Sequence, residues 1–233
     1  MSELCKWLHE QLDQLSMITH PFNLEDLPQN GIYFFYEEAE VWGHGSDEPR
    51  IVRIGSHRGQ GNLRSRISET YLLDERRLSF GSENAKPADR SIFRKNLGRA
   101  LLNRDGDDYL EVWEIDFTPT EDRERYRHLR DIEKEKRLEE AISGLLRNRF
   151  SFRVIAVDSP AERRDLEKRR ICSVARCSLC RPSCDWLGRS SPERKIRDGK
   201  LWQVQNLKGH PLEAGDKEPV VLAINSTKAQ RND

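Results

Sequence analysis

A chain of 233 residues that sets 40 Lys and Arg against 40 Asp and Glu has a formal net charge of +0 at pH 7, so no global field draws it to nucleic acid. With 34% charged residues it holds no apolar run near the roughly 20 residues of a membrane span, and its first residues lack the apolar stretch of a signal peptide. A cytoplasmic protein is the expectation, folded as one elaborated domain able to bury roughly 70% of its unfolded surface.

In chain order, Leu4, Trp7, Leu8, Leu12 and Leu15 recur at helical spacing and predict an amphipathic first helix packed on the domain. Gly31-Ile32-Tyr33-Phe34-Phe35-Tyr36 is a short β-prone run bounded by Gln29-Asn30 and Glu37-Glu38, and Ile51-Val52-Arg53-Ile54 reads as its partner strand. Gly43, Gly45 and Pro49 give the stretch between them the chemistry of a long hairpin loop. After Gly55, the segment Asn62 to Ile67 sets Leu63 and Ile67 on one helical face with Arg66 beside them. From Pro49 to Ser68 there is no acidic residue, while Arg50, Arg53, His57, Arg58, Arg64 and Arg66 make the stretch basic enough to meet a phosphate backbone.

Ser91 then caps a helix through Ile92, Phe93, Leu97, Ala100 and Leu101, whose other faces carry Arg94, Lys95 and Arg99. Glu111 to Phe117 mostly alternates and predicts a half-buried strand. Glu121 to Arg149 is a charge-dense helical stretch with a stripe at Leu138, Ala141, Ile142, Leu145 and Leu146 and pairs such as Glu133 with Arg137. Phe152 to Val157 is a strand by composition, and Ser159-Pro160-Ala161-Glu162 opens a helix with a capping box. On that helix Glu167 aligns with Ile171 and Val174, so its carboxylate is partly buried and needs a cation or donors. Two sources are open: a metal, or an ion pair with Arg163, Arg164, Lys168 or Arg170. Cys172, Cys177, Cys180 and Cys184 follow closely, with a C-x-x-C pair at Cys177 and Cys180, and they leave a structural Zn²⁺ or unligated thiols as alternatives. Trp186 and Trp202 suit packing better than base stacking. Residues 226–233 are polar and read as a disordered tail.

Gly31-Ile32-Tyr33, then Ile54-Gly55, then Asn62-Leu63-x-x-Arg66, in the order strand, hairpin loop, strand and helix, resemble the GIY-YIG nuclease superfamily. The chain departs from the family pattern where Arg53 replaces the second tyrosine, and Thr70 stands where some members carry a histidine. The likeness covers residues 28–71 and resumes over 150–172, while Ser183 to Arg189 and Gly199 to Val204 look like the C-terminal part of a prokaryotic branch of the superfamily.

That resemblance implies an α+β fold, a small three-stranded, mainly antiparallel sheet flanked by helices. Residues 1–27 would pack on a single domain over 28–225, with an insertion at 72–149 and a Cys-rich extension at 172–225. It further implies an endonuclease dependent on Mg²⁺ or Mn²⁺ that acts on DNA, of a restriction or defence kind, with a homodimer left open. A non-cleaving nucleic-acid-binding protein on the same scaffold, or a repair nuclease, is the alternative. Under the endonuclease reading Glu167 binds the metal, Arg66 neutralises the phosphate and Tyr33 orients the nucleophilic water. Arg53 assists Tyr33, clamps phosphate or is a surface arginine, and His57 is the second candidate base. Arg58, Arg64, Arg94, Lys95 and Arg99 are the candidate DNA contacts.

Overall fold

The fold is described by a computed structural model over residues 2–45 and 47–232. Helix α1 (Ser2–Leu12) leads to a two-residue strand β1 (Ile18–Thr19), then the hairpin β2 (Gly31–Val41) and β3 (Pro49–Gly55), then α2 (Leu63–Tyr71). A helical region follows, with α3 (Pro87–Arg90), α4 (Ile92–Arg104), α5 (Leu110–Glu114), α6 (Thr120–Tyr126) and α7 (Ile132–Arg149). The chain then returns to the sheet as β4 (Phe150–Ala156) and ends in α8 (Pro160–Ala175), α9 (Arg194–Gly199) and α10 (Lys217–Asn232).

The sheet is antiparallel in the order β1-β4-β2-β3. The fold is therefore α+β with four strands, one more than the sequence predicts. The extra strand is short: Ile18 and Thr19 pair with Phe152 and Ser151 at the edge of β4. The central strand β2 is apolar without alternation because both its faces are covered. Tyr33 and Phe35 point into a cluster with Leu63 and Ile67 of α2, Phe93 and Leu97 of α4, and Ile142 and Leu146 of α7. Ile32, Phe34 and Tyr36 point the other way, into Cys5 and Leu8 of α1, Leu166 and Ile171 of α8, and Val220 and Ile224 of α10. Each fully buried side chain of this kind contributes about 1.5–3 kcal/mol, so a one-residue slip of β2 would misplace both layers at once.

Three sequence expectations change on folding. Glu111 to Phe117 opens in the short helix α5 rather than in a strand, with Trp113 buried on the helix and Phe117 buried past its end; the Trp113 indole donates to the Lys95 carbonyl at 3.1 Å. The charge-dense stretch is broken between α6 and α7, where Asp131 caps α7 by accepting from the Lys134 amide at 2.9 Å. Its buried face includes Glu135 and Glu139 beside Ile142 and Leu146, whereas Ala141 is exposed and Glu133 pairs with Lys136 at 3.0 Å rather than with Arg137. The expected disordered tail is helical through Asn232 in α10, with Asp233 outside the described residues. Val220, Ala223, Ile224 and Thr227 line its buried face, and the Thr227 hydroxyl accepts the Ala156 amide at 2.8 Å, which ties α10 to the end of β4. Among the described residues no helix is long and apolar enough to cross a membrane.

Candidate active site

At the end of β3, Gly55 pairs with Tyr33 on β2. A Cβ at Gly55 would lie inside the Tyr33 phenol, so only glycine lets the ring cross the strand end. Tyr33 is 2% exposed, and its ring meets Phe35 edge-on at 5.5 Å between centroids. Arg53 sits two residues before Gly55 and opposite Phe35. Its guanidinium lies 4.8 Å from the centroid of Phe93 in α4 and donates to the Trp202 carbonyl at 2.5 Å. Burial draws the Arg53 pKa down, while the neighbouring Tyr33 phenol and Glu167 carboxylate act in the opposite direction and the Arg66 cation acts with burial. Arg53 is thus a buried cation between tyrosine and glutamate, not a surface arginine.

Glu167 reaches the same place from α8. Ser56, directly after Gly55, donates its hydroxyl to Glu167 Oε2 at 2.5 Å. Burial raises the Glu167 pKa above the usual carboxylate range, opposed chiefly by the Ser56 hydroxyl and then by Arg53. None of the alternative partners forms an ion pair with it among the described residues. Arg163 instead donates to the carbonyls of Val157, Asp158 and Gly59. Arg66, on α2, donates to the Arg90 carbonyl at 3.0 Å and lies 3.7 Å from Glu69. Thr70 is turned inward and donates to the Arg66 carbonyl at 3.0 Å, so its own side chain adds nothing to the site.

These groups line one cleft of about 1040 Å³. Arg53, Arg58, Arg66, Arg164 and Lys168 face it against only Glu69 and Glu167, which gives a neutral chain a cationic groove. Asn96, Gln203 and Gln205 add amides to its wall. Ser56, Arg164 and Lys168 are additions to the sequence-derived site: Ser56 precedes His57, Lys168 follows Glu167, and Arg164 lies one helical turn before Glu167. The glutamines come from the C-terminal extension, where no local pattern marks them.

Several sequence assignments do not survive the packing. His57 lines the cleft but accepts the Gly31 amide on Nε2 at 3.2 Å, which requires the neutral ring with its proton on Nδ1; burial lowers its pKa in the same sense. With that lone pair engaged, His57 anchors β2 rather than acting as a base. Arg64 turns away from the cleft, donating to the Leu27 carbonyl at 2.9 Å and pairing with Glu25. Arg94 is fully buried, with Nη2 donating to Glu139 Oε2 at 2.6 Å and Nη1 to the Thr70 carbonyl at 3.1 Å. Lys95 is buried beside Asp89 at 3.3 Å, and Arg99 holds Glu114 at 2.5 Å. A satisfied guanidinium inside the core has no donor left for phosphate, so Arg58 alone of the candidate DNA contacts reaches the cleft. Trp186 and Trp202 are core residues whose indoles both donate to the buried carboxylate of Glu37 at 3.1 Å.

The cysteines also regroup. Cys184 is exposed, and Cys172 donates its thiol to the Gly209 carbonyl at 3.1 Å. Cys177 and Cys180 instead meet Cys5 of α1 and His44 of the β2–β3 loop, a group able to hold a metal ion.

Compared with known proteins, the chain matches the family model described as "GIY-YIG domain" over residues 2–216. Searches of curated proteins and of solved structures each returned no significant match.

Proposed function

Because that match spans nearly the whole chain, the protein belongs to the GIY-YIG nuclease superfamily, and from this premise we propose that it is a divalent-metal-dependent DNA endonuclease of the restriction or defence kind. The observation that carries the proposal is the convergence of Tyr33, Arg53, Arg66 and Glu167, from two strands and two helices, on one cationic cleft.

The donor set suits Mg²⁺ or Mn²⁺. Such ions are commonly held by one or two carboxylates together with waters and substrate phosphate oxygens, and Glu167 is a half-buried carboxylate whose desolvation is offset by the Ser56 hydroxyl and amide and by nearby cations. Glu167 would hold the ion, which when bound supplies Lewis-acid polarisation of the scissile phosphate. The remaining work falls to the chain. Ser56 fixes the carboxylate, and the Arg90 carbonyl anchors one nitrogen of Arg66, leaving the rest of its fork for phosphate oxygens. Arg58, Arg164 and Lys168 track the backbone on either side of the scissile bond. Tyr33 orients the attacking water and takes its proton, with the Arg53 cation beside it as negative charge develops.

The test is incubation of purified protein with supercoiled plasmid, with Mg²⁺ and with EDTA. Nicked and linear products that require Mg²⁺ and vanish in Glu167→Gln support the endonuclease, and discrete fragments support a restriction role. DNA binding without cleavage in Mg²⁺ or Mn²⁺ would replace it with the non-cleaving reading. A rate rising with the square of protein concentration would show two copies acting together.

A further inference from the structure

At the other end of β2 from Tyr33, near Val41, three side-chain sulfurs and one imidazole come together from segments remote in sequence. Cys5 lies on α1, His44 in the β2–β3 loop, and Cys177 and Cys180 in the turn after α8. One ligand atom from each lies within 4.8 Å of all the others. The Cys5 and Cys180 sulfurs are 3.7 Å apart, and Cys177 Sγ is 3.3 Å from His44 Nε2. A tetrahedral zinc with bonds of about 2.3 Å to sulfur separates its sulfurs by about 3.8 Å. Cys5 and Cys177 are fully buried and Cys180 is 2% exposed, while His44 closes the open side.

Backbone amides of Leu179 and Cys180 donate to the Cys177 sulfur, and the Gly43 amide donates to that of Cys180. This needs the hairpin backbone to lie directly on the Cys177–Cys180 turn: a Cβ at Gly43 would overlap the Leu179 carbonyl, so glycine is required there. A further layer holds the ligand-bearing segments. His9 Nδ1 donates to the Cys5 carbonyl at 2.9 Å while its ring stacks on Trp42 at 5.1 Å, and the Lys200 ammonium donates to the Cys177 carbonyl at 2.8 Å.

We infer that Cys5, His44, Cys177 and Cys180 bind one structural Zn²⁺. Soft sulfur donors with one imidazole in a tetrahedral arrangement select zinc over the hard ions suited to the cleft. The protein supplies all four positions, so none stays open for chemistry. The site lies roughly 25 Å along β2 from Tyr33, at ~3.3 Å per residue. Its role is to join α1, the hairpin and the C-terminal end of α8, the helix that carries Glu167.

The test is elemental analysis of full-length protein purified under reducing conditions without a metal-chelating tag. About one zinc per chain is expected, retained on dialysis against EDTA and released by a thiol-binding mercurial. Cobalt substitution should give the intense visible bands of a tetrahedral thiolate site. Cys177→Ser and His44→Ala should lose or weaken the metal, while Cys172→Ser and Cys184→Ser keep it. The wild-type measurement needs no variant to fold. Less than about a tenth of an equivalent after incubation with Zn²⁺, zinc that depends on Cys172 and Cys184, or a Cys5–Cys180 disulfide in freshly lysed cells would each overturn the assignment.

Discussion

Glu167 illustrates how a single side chain is fitted for chemistry at the expense of stability. Its pKa is raised by burial, so between the free carboxylate value of about 4.3 and its folded value the folded state binds more protons than the unfolded one, and the stability it contributes falls as pH rises through that window. Glu167→Gln removes the charge and keeps the shape. Its melting temperature should equal that of the wild type at low pH and exceed it increasingly toward neutral pH, while plasmid cleavage is lost; a wild-type cutting rate would remove Glu167 from the metal role. Arg66→Lys keeps the charge but not the fork, and a lost charged hydrogen bond of about 1.5–3 kcal/mol predicts a fall in rate of roughly 10- to 100-fold. At Arg53, Arg53→Ala should move the alkaline rise of the pH–rate profile to higher pH if the guanidinium assists Tyr33. An unchanged profile with a weaker salt dependence of binding would make it a phosphate clamp instead. Tyr33, Arg66 and Glu167 were legible because each sits in a local pattern: a strand opening, a helix repeat, a capped helix with an aligned carboxylate. The partners of Arg53 were not legible, since Phe93 and Trp202 lie far along the chain and only tertiary packing brings them to it.

Among the elements, the helical insertion does more than decorate the sheet. Arg94 of α4 donates to the Thr70 carbonyl of α2 and to Glu139 of α7, so the helix bearing Arg66 is bolted to the insertion through one buried ion pair. Removing one partner of such a pair costs about 3–5 kcal/mol. Arg94→Ala should therefore lower stability by about that much in urea titration while leaving the DNA affinity of the folded fraction unchanged. A loss of affinity in folded protein would restore Arg94 as a DNA contact. A basic residue on a helix reads the same in sequence whether it meets phosphate or a buried glutamate. Glu139 shares its buried face with Ile142 and Leu146, the alignment that also marks Glu167, but the dense charge around it masks the pattern. Conversely, the partial alternation around Trp113 hid a short helix that ends at Glu114.

For the molecule as a whole, the candidate sites occupy opposite ends of β2 and call for different metal chemistries. EDTA should stop cleavage at once and reversibly, because Glu167 is the single protein carboxylate proposed to hold the ion, beside waters and substrate phosphate. Release of zinc by a mercurial should instead lower the melting temperature, and this separation is read by running both assays on one preparation. The hairpin and the helix after β4 were legible from apolar runs and caps, and the α+β class from the family resemblance. The cysteine grouping was not, because Cys5 and His44 approach Cys177 only after α1 and the hairpin loop have packed against α8. Arg53 has a consequence for descent. Its guanidinium is held at once by Phe93 of the insertion and by the Trp202 carbonyl of the extension. A tyrosine at this position would leave the Trp202 carbonyl without its donor and the Phe93 ring without its cation. Relatives with tyrosine here should differ at the residue equivalent to Phe93, the two positions changing together, whereas position 202, which offers only its backbone carbonyl, should vary independently.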